Sequence, residues 1–289
     1  MWDILAQEIS KVTGTHFSIE KHHSVGGGDI NQAWQISDAH TTFFLKTNDA
    51  DKADMFAAEA KGLNALAEAE AIRVPKPVCW GVINDQSYLV MESLSLGGRE
   101  NSTLFGQQLA KMHQHTQQQF GWHRNNTIGS TLQVNDLEES WITFWRKHRL
   151  DFQIDLALRN GASCRLADKG EHLMTNLSAL FGGYSPRPSI LHGDLWSGNW
   201  GSDELGNPVI YDPAVYFGDH EADLAMMELF GSPGASFFAA YREVYPIDAG
   251  YSVRRTLYNL YHILNHYNLF RGGYAAQAES MIDWLLAEI

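Results

Sequence analysis

Residues whose types and spacing could carry out chemistry are concentrated between positions 192 and 212. His192-Gly193-Asp194-Leu195 is followed by Asn199, and a later apolar run ends in Asp212. This spacing matches the kinase catalytic-loop pattern H-x-D-L-x-x-x-N, with glycine where protein kinases carry arginine. Phosphoryl transfer needs a carboxylate that deprotonates the acceptor hydroxyl, and oxygen ligands that hold Mg²⁺ beside the phosphates. We therefore predict that Asp194 is the catalytic base and that Asn199 and Asp212 bind the metal.

A short hairpin is predicted between Asn199 and Asp212. Residues 202–208 are turn formers that separate two apolar runs. Such a hairpin would bring Asn199 and Asp212 side by side, where both could bind one metal pair. His-Gly-Asp and Asp-Pro are each common as simple turns, so the prediction depends on their order and spacing taken together.

Size and composition indicate a globular protein and exclude several classes of partner. The chain has 289 residues, of which 44% are hydrophobic, and a formal net charge of −13. An acidic chain without a basic run has no electrostatic feature that would bind nucleic acid or an anionic membrane. Its only cysteines, Cys79 and Cys164, predict no disulfide framework. Because we see neither a signal peptide nor a membrane span, we expect a cytoplasmic protein.

The order of predicted elements is that of a kinase. An amphipathic helix over 2–12 is followed by strands at 17–19, 33–36 and 42–47, a helix at 53–70, and strands at 78–82 and 88–91. The rest is mainly helical, at 103–116, 141–161, 167–181, 234–245, 252–270 and 275–289.

These elements predict an α+β, two-lobed protein-kinase-like fold. We expect a nucleotide-binding lobe over 1–93, with a small antiparallel sheet and one main helix, and a larger, mainly helical catalytic and substrate-binding lobe over 94–289. The polar residues 117–140 are predicted to form a long surface loop that borders the substrate.

The small lobe contains candidate residues for binding ATP. Lys46 ends a strand, and Glu59 lies in the following helix. In kinases a strand lysine held by a helix glutamate reaches the α- and β-phosphates. Alone, each side chain would more often be a solvated charge. Glu92, Ser93 and Leu94 follow the last strand, and we expect their backbone to contact adenine.

A glycine-rich turn is the second candidate for phosphate binding. Gly26, Gly27 and Gly28 lie between two predicted strands. Without Cβ atoms they allow backbone N–H groups to approach phosphate oxygens. Asp29 is an unexpected neighbour there, because its carboxylate repels phosphates unless it points away.

Further acidic residues follow the catalytic segment. Asp223 is predicted to brace the catalytic loop by accepting its backbone N–H groups, and His192 to order that loop. Only eleven positions separate Asp212 from Asp223, fewer than a protein-kinase activation segment needs. We therefore expect a constitutively assembled site for a small or exposed substrate.

Other catalytic classes are not indicated. His262 and His266 have helical i, i+4 spacing, but the glutamate of the metalloprotease motif is absent. The remaining histidine pairs lack partner ligands at useful spacing. There is no G-x-S-x-G motif and no Ser-His-Asp order, which removes the hydrolase hypothesis.

The catalytic segment resembles that of the fructosamine kinase, or ketosamine-3-kinase, family, whose members share the fold of aminoglycoside and choline phosphotransferases. The resemblance is carried by 191–199, Asp212-Pro213-Ala214 and 216–225, and it extends to 26–33, 44–46 and Glu59. Trp196 and the Glu221-Ala222-Asp223 stretch are its most specific parts.

The resemblance implies ATP-dependent phosphorylation of the 3-hydroxyl of a ketosamine, free or protein-bound. Trp196 would contact the substrate, since an indole face suits sugar C–H groups and a nearby ammonium. Asp219 and Glu221, with Asp194, would form an acidic pocket for the amine. Two alternatives stay open: an aminoglycoside or choline-type phosphotransferase, and a non-catalytic nucleotide-binding module. The sequence does not specify the oligomeric state.

Overall fold

The computed structural model describes residues 1–26 and 30–289. The predictions for Gly27, Gly28 and Asp29 therefore lie outside the described residues. The helices and strands, in chain order, are α1 Trp2–Thr13, β1 Lys21–Val25, β2 Gln32–Ser37, β3 Thr42–Asp49, α2 Ala53–Glu68, β4 Pro77–Ile83, β5 Gln86–Glu92, α3 Ser102–His113, β6 Asn126–Ile128, β7 Thr131–Gln133, α4 Trp141–Trp145, α5 Phe152–Arg159, α6 Cys164–Thr175, β8 Ser189–Leu191, β9 Trp200–Ser202, β10 Pro208–Ile210, β11 Tyr216–Gly218, α7 Glu221–Leu229, α8 Ala235–Val244, α9 Tyr251–Phe270 and α10 Tyr274–Ala287.

The chain divides into two compact units. The first comprises Met1–Asn101 and Gly201–Pro213, and the second comprises Ser102–Trp200 and Ala214–Ile289. The first unit thus extends past the predicted boundary at residue 93 and also takes in the segment that ends at Asp212 and Pro213. The functions assigned to the two predicted lobes, nucleotide binding to 1–93 and catalysis with substrate binding to 94–289, stay predictions.

The first unit is built on a five-stranded antiparallel sheet with strand order β1-β2-β3-β5-β4. Lys46 lies on the central strand β3, opposite Ala33 of β2 and Leu89 of β5. Apolar side chains of α1 and of the sheet, including Leu5, Ile9 and Leu45, form a buried core. Pairing on both edges holds β3 rigidly, so Lys46 projects from a fixed point.

The first strand was predicted at the wrong place. Residues 17–19 are not a strand, and β1 instead covers Lys21–Val25. All five β1 residues are exposed, so this edge strand has no apolar alternation from which it could be detected. Phe17 is buried for another reason: it packs in the core, and its N–H donates to Ser10 Oγ at 2.9 Å.

The second unit is mainly helical. Helix α9 packs against α7, α10 and α5, and α3 packs against α8. The helix predicted over 141–161 is interrupted by a π-helical turn at Arg146–Asp151, and the one predicted over 167–181 ends as a 3₁₀-helix at Leu177–Phe181. No helix in the described part of the chain is long and apolar enough to cross a membrane.

The prediction of a surface loop over 117–140 is wrong. This segment contains the hairpin β6–β7, and Phe120, Trp122, Asn126, Gln133 and Asn135 are all buried. The polar composition was misleading because these amide side chains bond to buried backbone and side-chain groups rather than to water.

Candidate active site

Three predicted residues meet in the first unit. Lys46 Nζ lies 2.7 Å from Glu59 Oε1 and 2.6 Å from Asp212 Oδ1. Lys46 is buried, which opposes its charge, but Asp212 and Glu59 outweigh that effect and raise the pKa of the ammonium. Burial raises the pKa of Glu59, and Lys46 counteracts it. Lys46 is therefore a protonated ammonium held between two carboxyl groups.

Asp212 has an unusual backbone conformation. Its φ is +59°, in the left-handed region that is costly for a residue with a Cβ. Such strain persists only where the surroundings impose it, and it concentrates at functional sites. The side chain of Asp212 is 45% exposed, so its carboxylate can be approached from solvent.

The hairpin β9–β10 leads into Asp212 and is anchored to the same unit by Arg73. The Ile210 N–H donates to Arg73 O at 3.0 Å. The Arg73 guanidinium reaches Asp203 Oδ2 at 3.1 Å and Glu92 Oε1 at 2.9 Å. Asp212 therefore lies two residues after Ile210, whose backbone hydrogen bond to Arg73 is supported by the two ion pairs of the Arg73 side chain.

In the segment predicted to contact adenine, Glu92–Leu94, the backbone N–H of Glu92 already has a partner. The Glu92 N–H already donates to Lys76 O at 2.8 Å, so it is not available to a base. Its carboxylate pairs with Arg73. Ser93 Oγ accepts from Gln35 Nε2 at 3.0 Å, and the adenine contact of the backbone at Glu92, Ser93 and Leu94 stays a prediction.

Of the three glycines predicted to bind phosphate, Gly26 is the one that the structure describes. A Cβ placed there would meet no atom of the described residues within 4 Å. The role of Gly26 stays a prediction.

The Asp194 loop lies in the second unit and closes on itself. Asn199 Nδ2 donates to Asp194 O at 2.8 Å and to Asp194 Oδ2 at 3.2 Å. With Nδ2 turned to Asp194, Oδ1 is the atom of this amide that can act as a cation ligand. The Asp194 N–H donates to Nδ1 of the buried His192 at 3.3 Å. These bonds fix the aspartate relative to the two residues that flank it in the motif.

Glycine is required beside Asp194 for steric reasons. Gly193 has φ +82°, and a Cβ there would lie 2.1 Å from Ala214 O. The Ala214 N–H donates to His192 O at 2.8 Å. Gly193 therefore lets the chain after Asp212 pack directly against the catalytic loop, where an arginine would not fit.

Asp223 contacts the loop as the sequence suggested. Its Oδ2 accepts the His192 N–H at 2.7 Å and its Oδ1 accepts the Gly193 N–H at 2.8 Å. His113 Nε2 lies 3.1 Å from Oδ2. Burial alone would raise the pKa of Asp223, but His113 and these N–H groups hold it below its usual value. A buried carboxylate thus ties α3, α7 and the catalytic loop together.

The structure contradicts the predicted acidic substrate pocket at Asp219 and Glu221. Both are fully buried. Asp219 accepts hydrogen bonds from Tyr184 Oη at 2.9 Å and Tyr258 Oη at 2.5 Å. Glu221 forms a two-point ion pair with Arg254, at 2.8 and 3.0 Å. Their polar atoms are satisfied inside the helical unit, so we explain them as structural residues.

Trp196 is partly exposed, as a substrate contact would require. Its exposed fraction is 39%. The indole lies over its own loop, since a Cβ at Gly198 would come within 2.3 Å of the ring. Its contact with substrate stays a prediction.

Two positioning residues were missed from the sequence. Arg73 follows a helix and looks like any surface charge. His113 belongs to one of the histidine pairs without further metal ligands at useful spacing, and it contacts Asp223 and the hydroxyl of Tyr241, the latter at 2.7 Å from Nδ1. A histidine at the end of an amphipathic helix was the available signal, but only the fold reveals its partners.

Comparisons with known proteins find relatives along the whole chain. Residues 1–288 match the family described as fructosamine kinase. A probable ketoamine kinase of Synechocystis is 45% identical over 99% of this chain and 97% of its own. A chloroplastic protein-ribulosamine 3-kinase of Oryza sativa subsp. japonica is 41% identical over 98% of this chain and 81% of its own.

Solved structures give the same result. The crystal structure of a candidate fructosamine-3-kinase from Haemophilus somnus superposes with TM-score 0.90 at 28% identity, covering 99% of this chain and 98% of that one. An aminoglycoside phosphotransferase bound to AMP-PNP and hygromycin B has TM-score 0.62 at 14% identity, over 98% of both chains, which is likeness of fold alone. The predicted resemblance, the α+β kinase-like fold and the enzyme class, a kinase, are confirmed. The chain belongs to the fructosamine kinase family.

Proposed function

We propose that this protein transfers the γ-phosphoryl group of ATP to a hydroxyl, O3, of a ketosamine, the sugar adduct that glycation leaves on an amine. Family membership and the names of the relatives support the substrate class. The observation that carries the chemistry is the closed Asp194 loop, in which Asn199 donates two hydrogen bonds to Asp194 and Asp223 binds the backbone.

Lys46 would bind the α- and β-phosphates of ATP. Its ammonium is buried and has a raised pKa, and Glu59 holds it on one side. A preorganised cation of this kind stabilises phosphate charge more than a solvated one does, because it need not reorganise during the reaction. In this proposal Glu59 acts on Lys46 and does not touch the nucleotide.

The donor chemistry of Asp212 and Asn199 fits Mg²⁺. This hard cation prefers carboxylate and carbonyl oxygens. Asp212 offers a half-exposed carboxylate, and Asn199 offers the amide oxygen that faces away from Asp194. When bound, Mg²⁺ would screen the charge of the phosphate oxygens. Among the described residues, no three His, Cys, Asp or Glu side chains are grouped so that they could hold a metal ion. The two proposed ligands, one aspartate and one asparagine, are not a group of that kind.

Asp194 would be the general base. It accepts the proton of the substrate hydroxyl as that oxygen forms a bond to the γ-phosphorus. The bond from the γ-phosphorus to the oxygen bridging to the β-phosphorus breaks, and ADP leaves with that electron pair. The bonds from Asn199 and His192 would hold the carboxylate in position for the hydroxyl.

Trp196 would supply the contact with the sugar amine. An indole face binds C–H groups of a sugar, and it attracts an ammonium. We infer an acceptor that is a small sugar amine, free or protein-bound, and we propose a cytoplasmic location for the reaction.

An acceptor panel tests this function. ATP consumption is measured with fructosamine, ribulosamine, an aminoglycoside and choline, and with Asp194→Asn as the matched control for contaminating kinases. We expect turnover with one or both ketosamines that the variant lacks. Turnover only with the aminoglycoside or choline would replace the proposed substrate, and turnover with none of them would favour a non-catalytic nucleotide-binding module.

A further inference from the structure

The segment Ala214–Gly218, which follows Asp212 and Pro213, is enclosed on two sides within the second unit. In protein kinases the corresponding stretch begins a longer activation segment. Here β11 pairs with β8, with Tyr216 opposite Leu191, one residue before His192. The Ala214 N–H donates to His192 O at 2.8 Å, and Ala214 O lies against Gly193. One side of the segment is therefore the catalytic loop itself.

The other side is the segment that looked like a surface loop. Gly121 and Phe217 exchange two backbone hydrogen bonds of 2.9 Å. Gln133 Nε2 donates to Ala214 O at 3.0 Å, and Asn126 Nδ2 donates to Val215 O at 2.8 Å. Successive carbonyls after Pro213 are thus bonded by two buried side-chain amides.

A third amide completes a buried amide cluster of Asn126, Gln133 and Asn135. Asn126 Oδ1 accepts from Gln133 Nε2 at 2.8 Å and from Asn135 Nδ2 at 2.9 Å. Asn135 Oδ1 accepts from Arg149 Nη2 at 2.8 Å, and Gln133 Oε1 accepts from Tyr261 Oη at 2.8 Å. All five side chains are buried.

Every amide in the cluster has only one consistent orientation. Gln133 and Asn126 must each direct their NH₂ group at a backbone carbonyl, which can only accept. Asn135 must direct its oxygen at Arg149, whose guanidinium can only donate. Buried networks of this kind specify one arrangement strongly when every member has a partner. The cluster is therefore a rigid support for Ala214 and Val215.

We propose that Gln133 and Asn126 are positioning residues for Asp194. They hold Ala214–Gly218 against the catalytic loop and so replace the ordering that a modified activation segment supplies elsewhere. Neither residue touches the reacting atoms. The inference rests on the proposed role of Asp194, and it predicts a site that is permanently assembled.

Gln133→Met tests the proposal, because methionine keeps the length of the side chain and removes its donors and acceptor. Leu285→Ala on α10 is the control, since truncating a buried leucine lowers stability without touching the cluster. We expect Gln133→Met to lower kcat roughly tenfold or more, as misplaced catalytic groups do, with the KM for ATP within about twofold. The control should keep kcat at a temperature well below either melting point.

Hydrogen exchange of the ligand-free protein supplies a readout that does not depend on activity. Peptides covering 189–194 and 214–218 should exchange faster in Gln133→Met and at the wild-type rate in Leu285→Ala. Tyr261→Phe removes only the donor to Gln133 Oε1, so its effects should have the same direction and be smaller. If Gln133→Met does not fold, Tyr261→Phe is measured in its place.

Unchanged exchange in these peptides, or an equal loss of kcat in Leu285→Ala, would overturn the proposal. If no acceptor in the panel is phosphorylated, the proposed function fails, and the exchange experiment still decides whether the cluster orders the loop.

Discussion

The two groups of candidate catalytic residues are held in position by different interactions. In the first unit, Lys46, Glu59 and Asp212 are positioned by ion pairs between side chains. In the second unit, Asp194 is positioned through its backbone, by Asn199, by Asp223 and by contacts with Ala214. The first arrangement depends on charge, and the second on hydrogen-bond geometry and close packing.

This difference suggests two kinds of sensitivity. The charges around Lys46 can be altered with a smaller loss of stability, because Asp212 is half-exposed and Lys46 keeps one carboxylate partner when the other is replaced. The Asp194 loop shares its supporting residues with the core, so changes there should affect stability and turnover together.

Removing a charge from Lys46 or Asp212 in the first unit should have the largest effect on turnover. We expect Lys46→Met and Asp212→Asn each to lower kcat by roughly a thousandfold or more, since phosphate positioning and the metal serve the transition state. Circular dichroism should show an intact fold. Lys76→Met, at an exposed lysine of the same unit, is the control. Near wild-type turnover in either variant would remove that residue from the proposed site.

Asp223→Asn should instead affect stability. The asparagine cannot accept from the His192 and Gly193 N–H groups and from His113 as the carboxylate does, and buried bonds to charged groups are worth about 1.5–3 kcal/mol each. We expect the free energy of unfolding in urea to fall by about 3 kcal/mol, and by less for Glu59→Gln, because Lys46 keeps its ion pair with Asp212. The opposite order would contradict the contrast between the two units.

Trp196→Ala should affect only the acceptor. If the indole packs on the sugar, the KM for the ketosamine should rise by an amount that corresponds to about 1–3 kcal/mol, as for a large buried side chain. The KM for ATP should stay nearly unchanged in steady-state assays. Equal changes for both substrates would identify Trp196 as a support of its own loop.

Acid should weaken the second unit through its buried neutral histidines. Burial lowers the pKa of His220 and of His262 from 6.5 to about 3. Below pH 6.5 these two side chains bind protons in the unfolded chain but not in the folded one, so they make stability fall as the pH falls. Burial raises the pKa of Glu221 to about 7, which has the opposite effect over the same range. Between pH 7.5 and 6, His262→Phe should therefore lose roughly 1 kcal/mol less stability than wild type in urea titrations, and an equal pH dependence in the two proteins would contradict this effect.

The sequence predicted the elements with strong apolar periodicity and the residues with a fixed motif spacing. Helix α2 and strands β2 to β5 lie within a few residues of their predicted bounds, and Lys46, Glu59 and Asp212 meet as a strand, a helix and a hairpin end should. These features depend on local patterns, which one sequence displays.

What the sequence did not predict depends on contacts distant along the chain. Polar Asn126 and Gln133 resemble loop residues until the carbonyls of Ala214 and Val215 come to lie beside them. Asp219 and Glu221 look like ligands for an amine until Tyr258 and Arg254 are found to bind them. A single sequence shows the polarity of a side chain but not the identity of its partner.

The central claim, that Asp194 is the base of a ketosamine kinase, is tested most directly by comparing turnover and binding in Asp194→Asn. Asparagine keeps the shape of the side chain but cannot take the proton, so kcat should fall by roughly 10²–10⁴, the range for a lost general base. Calorimetric titration should show ATP and ketosamine binding within a few-fold of wild type. Preserved kcat with weakened ketosamine binding would contradict the claim and make Asp194 a substrate-positioning residue.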